Sequence, residues 1–221
     1  EEAREALAER GIHVTRETVR KITMKVGEEA LRQREARLEL AEAGGVLTKE
    51  FAGRRVVISA DGGRMRMREG GDRGRRTAGG GRSYRTPWRE PKLVTAYLID
   101  EKGEKLRGAA PLYDGTMGDA DTAFKILATE LKLRGAAEAK EIVLVADGAP
   151  WIWNRADELA RFLGIAPNRI VKVADFYHAV EHLSEIADMR AGWTKAQRKQ
   201  WVRRMRRWLK KGKVDDVSSH P

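Results

Sequence analysis

The chain has 221 residues, enough for one good-sized core and a smaller appendage. It contains no cysteine, which excludes disulfides and thiolate zinc sites and suits a reducing cytosol; no apolar run approaches the ~18–20 residues of a membrane span, and no signal-peptide pattern opens it. Of the formal charge of +11, residues 64–92 contribute ten Lys/Arg against three Asp/Glu and residues 195–213 ten Lys/Arg and no acid, so the remainder is net acidic.

Basicity confined to two segments is expected where a polyanion is gripped, and the plain alternative is a solvated, solubilising surface. The chain begins Glu1-Glu2 and ends Ser218-Ser219-His220-Pro221 without a closing helix or strand, which reads as part of a longer protein.

Residues 1–45 read as a helical, DNA-binding helix-turn-helix region. A short helix ends near Gly11, and the Thr15 hydroxyl can cap a second helix. Val19, Ile22 and Val26 fall on one stripe that is expected to be buried, with Arg16, Glu17, Arg20 and Lys21 facing away from it. Arg16, Arg20 and Lys21 are the candidates for groove contact, and a plain helical hairpin would carry the same pattern.

Residues 54–190 change to strand character. RRVVISADG, EIVLVADG and RIVKVAD read as short buried strands, and KLVTAYLID with PLYDG as two strands around a turn at Glu101–Glu104. Residues 70–91, rich in Gly and Arg, read as a long basic loop. Helices are expected over 119–135, 151–163 and 176–189. Residues 191–221 read as the start of a helical insertion, with Trp201, Met205 and Trp208 on its apolar stripe. The resulting order, three strands, helix, strand, helix, strand, helix, predicts an α/β, RNase H-like fold with a mixed five-stranded sheet flanked by helices.

Three strands end in Ala-Asp: Asp61, Asp147 and Asp175. One such aspartate is an ordinary cap. Three place carboxylates along one edge if the strands are parallel neighbours, where α/β sheets bind ligands. Close carboxylates repel, and a cation between Asp61 and Asp147 relieves that; oxygen-only ligands point to Mg2+ or Mn2+. Two such ions about 3.5–4 Å apart suit in-line phosphoryl displacement.

The segments ISADGGRMRMRE, WREPKLVTAYLID, VLVADGAPWIWNRA and DFYHAVEHL, in this order over residues 54–190, resemble insertion-sequence transposases of the DDE type, near the Mutator-like branch and ISKra-type elements. The resemblance implies metal-dependent cleavage and strand transfer of transposon-end DNA. It makes Asp61 and Asp147 the first two catalytic acids, and it makes Asp175 and His178 the Asp-x-x-His element that follows. It further implies transposon-end and target DNA as partners, a homodimer or higher oligomer on DNA, and a prokaryotic cytoplasm with nucleoid association. The family's third acid, a glutamate, lies beyond a helical insertion, so this chain is expected to hold an incomplete active site. Arg64, Arg66 and Arg68 in the first basic segment and Arg203, Arg204 and Arg207 in the second are the candidate DNA-backbone contacts.

Two other readings stay open. A catalytically inactive, transposase-derived DNA-binding protein would lack the glutamate altogether. His178, Glu181 and His182 also fit the H-x-x-E-H pattern of zinc peptidases, although no third ligand is evident and His182 reads equally as a surface histidine.

Overall fold

Short, largely apolar strands assemble into one mixed sheet in the computed structural model, which describes residues 2–68 and 73–219. The strands are β1 (Arg55–Gly62), β2 (Lys92–Ile99), β3 (Leu112–Thr116), β4 (Glu141–Ala146) and β5 (Ile170–Ala174). Their order across the sheet is β3-β2-β1-β4-β5. β1 pairs antiparallel with β2, and β2 with β3, while β1–β4 and β4–β5 are parallel. This is the expected mixed five-stranded sheet, in the layout of RNase H-like folds.

Helices cover one face of that sheet: α3 (Ala120–Leu133), then α4 (Pro150–Trp153) and α5 (Ala156–Leu163). Val56, Ile58, Val94, Ala96, Leu98, Ile142 and Leu144 point into a single core with Phe124, Leu127, Leu131, Leu159 and Leu163. The other face is less covered, with Leu93, Tyr113, Val171 and Val173 exposed. The strands read as buried on both sides therefore differ: β4 alternates between buried and half-buried, and β5 is buried only at Ile170. Parallel strands are apolar throughout when both faces are packed, and here the second face is closed at Val57 of β1 but exposed along β5. The single helix expected over 151–163 is broken at Asn154-Arg155. There the Arg155 guanidinium turns to Asp121 at 2.6 Å while Ile152 and Ala156 stay buried.

At the N-terminus, α1 (Glu2–Ala8) precedes α2 (Arg16–Glu42). As the sequence suggested, the Thr15 hydroxyl caps α2 by accepting from the Thr18 N–H at 3.1 Å. Only the second half of this 27-residue helix docks on the core. Arg34 pairs with Asp114, Lys125 with Glu42 at 2.7 Å, and Arg37 donates two 2.5 Å bonds to buried Glu130. The first half extends past the core, so the stripe expected to be buried is open: Ile22 is 54 % and Val26 64 % exposed. Residues 47–53 are tied to the end of α3, with the Leu47 and Thr48 N–H groups donating to the Leu133 carbonyl, and Phe51 is buried.

Within the basic loop, Met65–Arg66 pairs antiparallel with Trp88–Arg89, and Arg75–Arg76 with Arg82–Ser83, so residues 63–68 and 73–91 extend the β1–β2 hairpin as an arm. Of the loop read over 70–91, residues 70–72 lie outside the described residues. The C-terminal helices, α6 (Phe176–Asp188), α7 (Lys195–Lys210) and α8 (Val214–Ser218), share their own small core of Leu183, Ala187, Trp201 and Met205, with Trp208 partly buried against it. Among the described residues no helix is long and apolar enough to cross a membrane.

Glu130 is a buried carboxylate whose two oxygens are met by Arg37, and that bond holds the Arg37 guanidinium above its already high ordinary pKa. Removing one partner of such a pair leaves a buried charge. Arg37→Leu should cost about 2–4 kcal/mol in urea unfolding, somewhat under the full penalty because Arg134 stands 3.5 Å from the same carboxylate. Arg20→Ala, which breaks an exposed pair with Glu17, should cost less than about 0.5 kcal/mol.

Candidate functional site

Strand register decides which carboxylates meet. β1 and β4 pair Ser59 with Val145, so two residues further along Asp61 falls level with Asp147. β4 and β5 pair Ala146 with Ala174, so Asp147 falls level with Asp175. The three aspartates thus stand side by side at the carboxyl end of three adjacent parallel strands. They line one cleft of about 350 Å³ together with Ser59, Tyr177, His178 and Glu181. All four residues expected at the catalytic centre, Asp61, Asp147, Asp175 and His178, are brought together here.

Their surroundings differ. Asp147 uses one oxygen to accept from the Ala149 N–H at 2.8 Å. Gly148, at φ +96°, makes that tight return possible, a conformation costly for any residue with a Cβ. Asp175 is the N-cap of α6, accepting from the Tyr177 N–H at 2.7 Å and more weakly from His178 at 3.5 Å. It is therefore a structural cap as well as a cleft residue. Asp61 is exposed and accepts no hydrogen bond from the described residues, so both its oxygens are open to a cation.

Glu181, which is not among the expected catalytic acids, also lines the cleft, because the fold brings residue 181 and residue 61 to the same hollow. Its carboxylate lies 3.6 Å from His178 Nδ1. Among the described residues no three His, Asp or Glu side chains converge tightly enough to form a ready-made metal-ligand set. The fit to Mg2+ is the looser one that this ion favours, with one or two carboxylates and the remaining positions taken by water or phosphate.

Cationic elements border the cleft on two sides. The basic arm leaves β1 directly after Asp61, and its arginines lie on aromatic rings: Arg64 and Arg66 over Trp88 at 5.4 and 5.0 Å, Arg68 over Tyr84 at 3.6 Å. On the other side, α7 returns along α6, placing Arg206 and Lys210 over Phe176 at 5.7 and 5.6 Å, next to Asp175. Arg203, Arg204 and Arg207 are exposed and line a separate hollow of about 540 Å³ with Trp193 and Trp201. Arg16, Arg20 and Lys21 are exposed on the free half of α2, where Arg20 pairs with Glu17.

The caps and the open carboxylate respond differently to substitution. Asp175→Ala should lower thermal stability by about 1 kcal/mol through the lost cap. Asp61→Asn removes a charge that no partner balances, and should leave the melting temperature unchanged or raise it. A stability loss at Asp61 equal to that at Asp175 would contradict this division.

No family model and no curated protein matches the chain. Among solved structures, it aligns with the crystal structure of NurA at 12% identity, covering 90% of this chain and 42% of that one, with a TM-score of 0.13, too low to carry an argument about fold or function.

Proposed function

We propose that the chain is the catalytic core of a DNA transposase of the DDE type, which cuts and joins DNA strands with divalent metal held at Asp61 and Asp147. The observation that carries this reading is the common level of Asp61, Asp147 and Asp175 across three parallel strands, in a cleft flanked by two cationic elements. Carboxylates alone would repel a DNA phosphate. Carboxylates between arginine-bearing arms suit a polyanion whose reacting phosphate is to be met by metal.

When bound, Mg2+ or Mn2+ supplies Lewis-acid activation of the attacking and leaving oxygens. The chain's own residues hold and orient. Asp61 offers both oxygens, and Asp147 offers the oxygen that the Ala149 N–H leaves free. Asp175 fixes the start of α6 and with it His178 at the cleft wall. The arm arginines are held by Trp88 and Tyr84, which lowers the entropy lost when they meet phosphate. Along α7, Arg203, Arg204 and Arg207 present charge to the backbone further from the cleft, and Arg206 presents it beside Phe176.

On DNA carrying the transposon ends, Asp61→Asn and Asp147→Asn should each abolish Mg2+-dependent strand cleavage while leaving end binding within about twofold, since neither residue is among the basic groups that neutralise phosphate. Mg2+ or Mn2+ should raise the melting temperature of the parent chain at concentrations tens of times its Kd, roughly, and should not do so for either variant. Equal cleavage by parent and variants would overturn the assignment.

The cationic helix is tested separately. Replacing Arg203, Arg204, Arg206 and Arg207 with Gln should flatten the log–log dependence of DNA affinity on salt by several units, at about 0.9 per lost duplex phosphate contact. An unchanged slope would remove α7 from the DNA-binding surface.

A further inference from the structure

His178 and His182 stand one turn apart on α6, and their Nε2 atoms approach to 2.9 Å. Each ring has a carboxylate on its other nitrogen. Glu185 Oε2 lies 3.1 Å from His182 Nδ1, and Glu181 Oε2 lies 3.6 Å from His178 Nδ1. A carboxylate accepts and cannot donate, so Glu185 selects the His182 tautomer with its proton on Nδ1 and a lone pair on Nε2. Glu181 biases His178 the same way, though more weakly at its longer distance. Two lone pairs then face each other, and that arrangement is favourable only with a proton or a cation between them.

We propose that the His178–His182 pair is a bidentate site for a first-row divalent transition ion, separate from the oxygen-only pair Asp61/Asp147 and independent of the transposase reading. Four features carry it. Both donors are imidazole nitrogens, which suit Cu2+, Ni2+, Co2+ and Zn2+ and not Mg2+. His182 has the Glu185 carboxylate at hydrogen-bond distance behind its ring, the outer contact that metal-bound histidines use to fix orientation and raise basicity, and Glu181 stands 3.6 Å behind His178. Both are reachable, with side chains 35 % and 58 % exposed. The spacing also has a geometric preference. With metal–nitrogen bonds of about 2.0–2.1 Å, two nitrogens at a right angle lie about 2.9 Å apart, while tetrahedral ligands lie about 3.3–3.4 Å apart.

The observed separation is thus that of neighbouring positions in a square-planar or octahedral ion. Cu2+ and Ni2+ bind without moving the rings, whereas tetrahedral Zn2+ requires them to part by about 0.4 Å. The remaining positions of the ion face solvent at the mouth of the cleft, because His178 lines it and His182 stands a turn further out. No peptidase chemistry is implied, since two protein ligands are present and Glu181 stands behind a ring, not beside an open coordination position.

The test is titration of the full chain with Cu2+ and Ni2+, followed by calorimetry and, for Cu2+, by electron paramagnetic resonance. His13 and His220 are replaced by Asn in every sample, so that the pair supplies the only imidazoles. The expected result is one ion per chain, Cu2+ tighter than Ni2+, and a copper spectrum with splitting from two equivalent nitrogens. His178→Ala and His182→Ala should each weaken binding more than tenfold, and Glu185→Gln about tenfold, the usual effect of losing an outer-shell partner. Asp61→Asn and Asp147→Asn should leave it unchanged, which separates this site from the proposed Mg2+ pair. Alanine is a good helix former, and far-ultraviolet circular dichroism verifies that α6 survives each change. Single-nitrogen copper spectra, or undiminished affinity in either histidine variant, would overturn the proposal. Loss of binding in Asp61→Asn would overturn its separateness.

Discussion

Parallel pairing of β1 with β4 and of β4 with β5 is the constraint on which the rest of the molecule depends. A parallel ladder sets residues level with one another at a fixed offset, and here that offset carries Asp61 to Asp147 and Asp147 to Asp175. A slip of one residue in either pairing would turn one carboxylate to the opposite face and bury it against α3 and α5. The packed face resists such a slip. Ile58, Leu144 and their neighbours fill a core closed by Leu127, Leu131 and Leu159, and a shifted strand would set its half-buried positions against them. Hydrophobic register therefore locates the acidic cleft, whose lining the core reaches through Ala60 and Ala146.

Around this fixed edge the chain arranges charge by sign. Acids occupy strand ends, where the backbone turns and side chains reach solvent. Bases occupy extensions from those ends: the arm that follows Asp61, and α7, which folds back to the start of α6 behind Asp175. The two kinds of element are stabilised differently. Glu130 and Arg37 form a partly shielded pair that fastens α2 to the core, whereas the arm and α7 carry arginines laid on aromatic rings.

Helix α6 joins the two halves of this arrangement. Its N-cap is a cleft aspartate, its first turn carries His178 into the cleft wall, and its later turns pack on α7. One short helix thereby links the acidic edge, the cationic helix and the histidine pair.

Much of this was legible in the residues. Short apolar runs ending in Ala-Asp announced strands with carboxylates at their ends, and the order of elements implied which strands would be neighbours, because short crossovers through helices make parallel pairs. The Thr15 cap and the α7 stripe were local signals, and both appear where the pattern put them. Other features depended on contacts between distant segments, which periodicity cannot encode. The stripe of Val19, Ile22 and Val26 has the spacing of a buried face, but burial needs an opposing surface and the first half of α2 has little. Strands β4 and β5 are apolar enough for two packed faces, yet β4 is half-buried on its second face and β5 is mostly exposed. Glu181 and the facing Nε2 atoms of His178 and His182 were hidden for a related reason. Sequence puts these residues on one helix, but only the docking of α6 at the end of β5 brings Glu181 and His178 to the aspartate cleft, and only the side-chain rotamers turn the two rings toward each other.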